Sequence, residues 1–255
     1  MGRDFEITEE LPVDASPEQI WDAIATGPGI DSWFMGRNEV VPGPGGTVST
    51  AFGGYAPTLP ITAWEPGHRL AYGDEPAPDG RFVAYEFLIE GRAGGSAVIR
   101  TVTSGFLPGD DWADEFEAMG LGLALFHRTL AEYLTWFLGR TAVPVTVFGP
   151  PVADWPQAWR LLHGALGLPG TPRPGDEASF TVGGVARGGT VYHVSAHALA
   201  VRTPDALYRF VRGFTGAMVA MHHQFTTTDE STAWQSWWDT LYAGDRAGQP
   251  TRSTP

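Results

Sequence analysis

The sequence predicts an α+β protein of two tandem domains, each a curved antiparallel β-sheet wrapped around a C-terminal helix. Three observations predict it. Short segments separated by Gly and Pro turns fill 38–104. An apolar face recurring every three or four residues follows them, beginning at Phe116. The same order of elements then returns in the second half, which marks a duplicated domain rather than a solenoid unit.

Residues 3–13 alternate, with Phe5, Ile7, Leu11 and Val13 apolar, and read as a strand. Ser16-Pro17-Glu18-Gln19 starts a helix: Ser16 caps it, Pro17 suits its first position and Gln19 closes a capping box. Ile20, Trp21 and Ile24 form its buried stripe, and Gly27-Pro28-Gly29 stops it. A short second helix is expected to carry Ile30, Trp33 and Phe34. Strands are expected near 38–41, 46–52, 59–65, 69–74, 81–90 and 96–104. In 81–90, Val83, Tyr85, Phe87 and Ile89 share one face and Glu86 and Glu90 the other, the mark of a sheet with one wet side. Asp110 or Asp111 is positioned to cap a long helix to Leu138. Its face is Phe116, Met119, Leu123, Phe126, Leu130, Leu134 and Phe137. Such a helix is the natural cover for a sheet with a single apolar side.

The second half repeats this plan. Val143–Phe148 stands for the first strand and 155–166 for the first helix. Segments 177–182, 190–201, 206–214 and 217–227 read as strands. Asp229 is placed to cap a last helix whose Trp234, Trp237, Trp238 and Leu241 share a face. The domains are expected at 1–140 and 141–244, with a flexible tail at 245–255.

Composition removes several functions. The 255 residues include no cysteine, which excludes a thiol nucleophile or thiolate metal site. All 16 basic residues are arginine, which excludes a Schiff-base lysine and a phosphate-loop lysine. A net charge of -13 with no basic stripe argues against nucleic acid as a partner. No apolar run is long enough for membrane insertion and the N-terminus lacks a signal-peptide pattern, so a cytoplasmic protein is expected.

The run Val13-Asp14-Ala15-Ser16-Pro17-Glu18-Gln19-Ile20-Trp21-Asp22-Ala23-Ile24, with Trp33-Phe34 after it, resembles the opening of START-like (SRPBCC, helix-grip) proteins. Within that superfamily it is most similar to the branch of the activator of the heat-shock-protein-ninety ATPase. Ile61-Thr62-Ala63-Trp64-Glu65-Pro66-Gly67-His68-Arg69-Leu70-Ala71-Tyr72 resembles that branch's central hairpin. The run from Ser96 to Phe106 resembles the strand before its long helix. The resemblance covers 3–138 well and 143–243 poorly, so the second half looks like a degenerate copy. It implies the helix-grip fold and an apolar cavity. Superfamily members include lipid and hormone carriers, aromatic polyketide cyclases and co-chaperone domains.

The expected ligand-binding residues are Trp33, Phe34, Trp64, Tyr85, Phe87, Arg100, Met119, Leu123, Phe126 and His127. Small Gly120 and Gly122 leave room on the helix. Arg100 reads either as an inward anchor for a carboxylate or as an outward residue paired with Glu86 or Glu90; the outward reading is favoured. His127 reads as a half-exposed helical histidine or, less favoured, as a proton shuttle at the pocket floor. His193, His197, His222 and His223 read as ordinary sheet histidines, with no metal site and no cofactor expected. No Gly-x-Ser-x-Gly elbow or triad spacing is present. Three functions remain: non-catalytic binding of an apolar or aromatic small molecule, a polyketide aromatase/cyclase-type enzyme, and a protein-interaction role that includes a chaperone partner or a homodimer. The first two need open volume between the long helix and the sheet; the third needs exposed tryptophans.

Overall fold

In the computed structural model, which describes residues 2–109, 112–168, 170–213 and 216–242, the chain divides into two compact units, Met1–Pro144 and Val145–Pro255. The expected caps Asp110 and Asp111 and the expected tail at 245–255 lie outside the described residues.

The first unit opens with β1 (Arg3–Val13), then α1 (Pro17–Ala25) and α2 (Gly27–Ile30). The capping box forms as its residues dictate. Ser16 Oγ accepts from Gln19 N at 3.3 Å, and Gln19 Oε1 accepts from Ser16 N at 2.8 Å. Two otherwise orphaned N–H groups are thereby satisfied at the helix start. Ser16→Ala is expected to lower stability by about 1 kcal/mol, read as a shift of the urea midpoint of the first unit.

Five strands follow in a meander: β2 (Arg37–Val41), β3 (Thr47–Ala51), β4 (Thr58–Glu65), β5 (Arg69–Gly73) and β6 (Phe82–Gly91). Then come β7 (Ala97–Leu107) and the long helix α3 (Trp112–Trp136). The sheet order is β1-β7-β6-β5-β4-β3-β2, antiparallel throughout. β1 and β7 pair over their whole lengths, Arg3 with Leu107 to Val13 with Ala97. α3 lies against this end of the sheet, with Phe116 edge-on to Phe5 at 5.9 Å between ring centroids. The helix covers the apolar face because burial of that face is the main return for closing the sheet.

The second unit has β8 (Val143–Pro151), α4 (Trp155–Ala165), β9 (Glu177–Val182), β10 (Val185–Val194), β11 (Ala198–Arg202), β12 (Ala206–Arg212), β13 (Ala217–Gln224) and α5 (Ser231–Leu241). Its sheet order, β8-β13-β12-β11-β10-β9, is the first unit's topology with one strand fewer. In both, the first strand pairs with the last and the others follow as a meander toward the second strand. Each unit thus has the helix-grip arrangement, an antiparallel sheet closed by its C-terminal helix.

Several expectations are corrected. α2 ends at Ile30, so Trp33 and Phe34 sit in the turn beyond it rather than on a helix. The segment 190–201 is not one strand: it breaks at Ser195–His197 between β10 and β11, which leaves His193 on β10 and His197 in the turn rather than on a strand. Strand β10 starts earlier, at Val185, through the tight turn Gly183-Gly184, both at positive φ (58° and 79°), where side chains with a Cβ are strained. Asp229 does not cap α5; Glu230 occupies that position, while Asp229 Oδ1 accepts from Ser231 N at 2.9 Å. Finally, Trp234 and Trp238 are fully buried in the second unit's own core against Phe180, Tyr208 and Phe210. They form a packing seam, while Trp237 beside them is only half-buried, so two of the three tryptophans expected for an interaction patch are not on the surface.

Candidate binding cleft

The cleft lies between α3 and the inward faces of β5, β6 and β7. Alternation along each strand decides which side chains face it. β6 presents Tyr85 and Phe87, β7 presents Thr101 and Thr103, and β5 presents Tyr72. α3 supplies Leu123, Phe126 and His127, and the turn after α2 supplies Trp33 and Phe34. The aromatic rings interlock. Phe34 lies 4.6 Å from Phe126, Trp33 6.2 Å from Phe87, and Tyr72 5.5 Å from Tyr85. Trp33 is pinned by its Nε1 donating to Ala23 O at 3.0 Å, so it is a fixed wall.

The space left among these side chains is about 10 Å³. That admits about one water, whereas small-molecule sites run to roughly 300–1,000 Å³. The open volume expected between helix and sheet is therefore closed in this structure.

The closure is uneven along α3. Its second half is well packed, with Leu123, Leu125, Leu130, Tyr133 and Leu134 buried. No residue from Trp112 to Gly122 is buried. The facing residues Phe5, Ile7, Val83 and Tyr85 are only half-buried, as are Phe116 and Met119. Gly120 lies one turn beyond Phe116 and one turn before Leu123, on the helix row that faces β1. A Cβ added there would meet no heavy atom within 4 Å. Gly105 on β7 is the opposite case: a Cβ would stand 2.8 Å from Phe5 Cε1, so only glycine lets the Phe5 ring lie on the strand.

At the polar end of the cleft the lining residue His127 pairs with Glu9 of β1, which is not itself part of the lining. His127 is 4% exposed, and its Nδ1 meets Glu9 Oε2 in a close hydrogen bond. This corrects the half-exposed reading of His127. Thr101 and Thr103 are each 2% exposed beside it. Burial raises the Tyr72 phenol above its ordinary pKa, and burial followed by the charges of Tyr55 and Asp74 pushes Tyr85 up to about 12. Both hydroxyls are neutral at physiological pH.

Of the expected ligand-binding residues, Trp33, Phe34, Tyr85, Phe87, Leu123, Phe126 and His127 come together around this space. Three do not. Arg100 is exposed on the outer face, registered opposite Glu10 and Leu88, because it alternates with inward Thr101. The outward reading holds, but Glu86 is bound instead by Arg69 Nε at 2.7 Å. Trp64 packs edge-on to Trp21 of α1 at 4.9 Å and does not line the cleft. Met119 also lies outside the lining. Sequence reasoning missed Glu9, Tyr72, Thr101 and Thr103. Glu9 had a visible signal: it interrupts the apolar row Phe5, Ile7, Leu11, Val13 on one strand face.

Elsewhere, among the described residues, no three His, Asp or Glu side chains gather as a metal-ligand set. His222 is buried in a box of Tyr208, Phe210 and Trp234, with its ring 4.1 Å from Trp234. Among the described residues no helix is long and apolar enough to cross a membrane.

No protein-family model matches the chain, nor does any curated protein sequence. Solved structures are similar at low identity. The di-domain ARO/CYC protein BexL from the BE-7585A biosynthetic pathway is 13% identical, with 98% of this chain and 100% of that chain covered, at a TM-score of 0.46. DynU16, from the dynemicin biosynthetic locus, is 18% identical over 96% and 99%, at 0.44. The Aha1 dimer of Colwellia psychrerythraea is 22% identical over 51% and 96%, at 0.40. The fold assignment accordingly rests on this chain's own strand order and helix placement.

Proposed function

We propose that the first unit binds an apolar or aromatic small molecule between α3 and the sheet. The supporting observation is the unfinished packing of α3: an aromatic-lined floor lies under a half-helix that buries none of its residues. Entry then requires the segment Trp112–Gly122 to lift while Leu123–Trp136 stays anchored. Local opening at the least-packed end of a helix is the cheapest way to create volume in a closed core.

Two measurements test this. Hydrogen exchange is expected to be fast across 112–122 and slow across 125–134, and an aromatic ligand is expected to slow the first segment. Quenching of intrinsic tryptophan fluorescence by 2-naphthol is expected to saturate with the intact chain. It is expected to weaken about tenfold or more in Leu123→Trp, which fills the floor, and in Gly120→Leu, which fills the gap beside it. Undiminished binding in both folded variants would remove the reading.

One observation favours a second reading, an aromatase/cyclase-type enzyme. Buried His127, held by the half-exposed Glu9, has the arrangement of a general base oriented by a carboxylate. His127 would take a proton from a bound enolisable ring precursor while Glu9 holds the imidazole in place. His127→Gln should then abolish turnover of a polyketide-like substrate while leaving 2-naphthol binding within about threefold. No turnover by the intact chain leaves binding alone.

A further inference from the structure

Among the described residues no arginine or lysine side chain lines the cleft, whose polar lining is Tyr72, Tyr85, Glu86, Thr101, Thr103 and His127. Glu9 stands on the inward row of β1 beside the cleft-lining His127, with its side chain 42% exposed. Its Oε2 meets His127; among the described residues nothing donates a hydrogen bond to its Oε1. Thr101, Thr103, Tyr72 and Tyr85 add only hydroxyls.

The arginines on the elements that build the cleft are engaged by other groups or lie on the outer face. Arg100 is exposed on the outer face of β7. Arg69 holds Glu86, Arg81 holds Glu115, and Arg128 holds Glu132 at 2.7 Å. Arg3 lies over the Trp112 ring, 4.9 Å from its centroid. It is six residues from Glu9, roughly 20 Å along an extended strand. A carboxylate ligand drawn into this space would lose its hydration beside Glu9 with no guanidinium or ammonium to replace it, which is unfavourable. A neutral hydroxyl would gain a charge-assisted hydrogen bond to the carboxylate.

We infer that the cleft takes an uncharged aromatic molecule bearing a hydroxyl, which donates to Glu9 Oε1, and that it rejects carboxylate-bearing analogues. The inference rests on the binding reading above and adds the ligand class.

The test compares three probes on the full chain at pH 7.5: 2-naphthol, 2-methoxynaphthalene, which lacks the donor, and 2-naphthoate, which carries the charge. 2-Naphthol is expected to bind about tenfold or more tightly than either. In Glu9→Gln the preference over naphthoate is expected to shrink at least about fivefold, since the repelling charge is gone. Naphthoate binding as tightly as 2-naphthol, equal binding of the methyl ether, or an unchanged preference in Glu9→Gln would overturn the ligand class while leaving the cleft intact. If no probe binds, or all bind equally well to Leu123→Trp, the binding reading itself fails and this inference falls with it.

Discussion

Replacing Arg187 by Ala is expected to destabilise the second unit by about 3–5 kcal/mol. Arg187 enters from β10, and its side chain is 9% exposed. Its NH2 reaches both carboxylate oxygens of Glu230, at 2.6 and 2.7 Å, at the start of α5. Its Nε donates to Tyr208 Oη at 2.9 Å, and its NH1 donates to the carbonyls of Val182 and Val185. One guanidinium therefore ties the β9–β10 turn, the centre of the sheet and the closing helix together. Removing it leaves Glu230 partly buried without its cation and Tyr208 without a donor, and the unmade interactions cost more than the pair contributed. The check is hydrogen exchange across 177–241. Protection should fall throughout that unit and remain unchanged at 97–107 of the first. The double variant Arg187→Met with Glu230→Leu should recover part of the loss, because no charge is then left buried. A loss below about 1 kcal/mol would place the helix attachment in the tryptophan seam alone.

Acid is expected to loosen the second unit through His222. Burial lowers its pKa well below the ordinary 6.5, and the nearby Arg209 and Arg187 lower it further, against a smaller opposing effect of a backbone hydrogen bond at Met221. Its Nδ1 accepts from Arg209 N at 3.1 Å, so the folded ring is neutral with its proton on Nε2. The sign follows from linkage. The unfolded chain binds a proton near pH 6.5, and the folded chain does not until much lower pH. The stabilisation is complete above about pH 6.5 and declines as pH falls toward the folded value, by about 1.4 kcal/mol per pH unit. Below pH 6.5 this residue's contribution to stability therefore falls with acid at up to that slope. His222→Asn keeps an acceptor for Arg209 N and removes the titration. Its opening free energy, read from exchange of the β12 and β13 amides, should fall less steeply with acid by about that amount. Equal slopes in the two proteins would show that the ring is reached by solvent before it is protonated.

The elements were legible wherever local chemistry decided them. The capping box at Ser16–Gln19, the alternation of β6 and the three-four spacing of α3 each appear in the structure near their expected bounds. The first half of β10 was not legible, because Arg187-Gly188-Gly189 has neither β-branched residues nor alternation and is held in place by its partner strand β9. The cleft was half legible. The aromatic wall could be read from strand alternation and helix spacing. Glu9 and His127 lie on different elements, and only packing α3 on β1 joins them.

Sequence by itself determined most of the order of strands and helices, the buried faces of β1, β6 and α3, and the absence of thiol and lysine chemistry, since propensity, periodicity and composition act over a few residues. Only the tertiary structure decided that the gap under α3 closes to the size of a water, that Arg100 stands opposite Glu10 and Leu88, and that Glu9 meets a buried histidine. Those outcomes depend on how tightly side chains far apart in the chain fill a shared space, a balance of volumes that no local pattern carries.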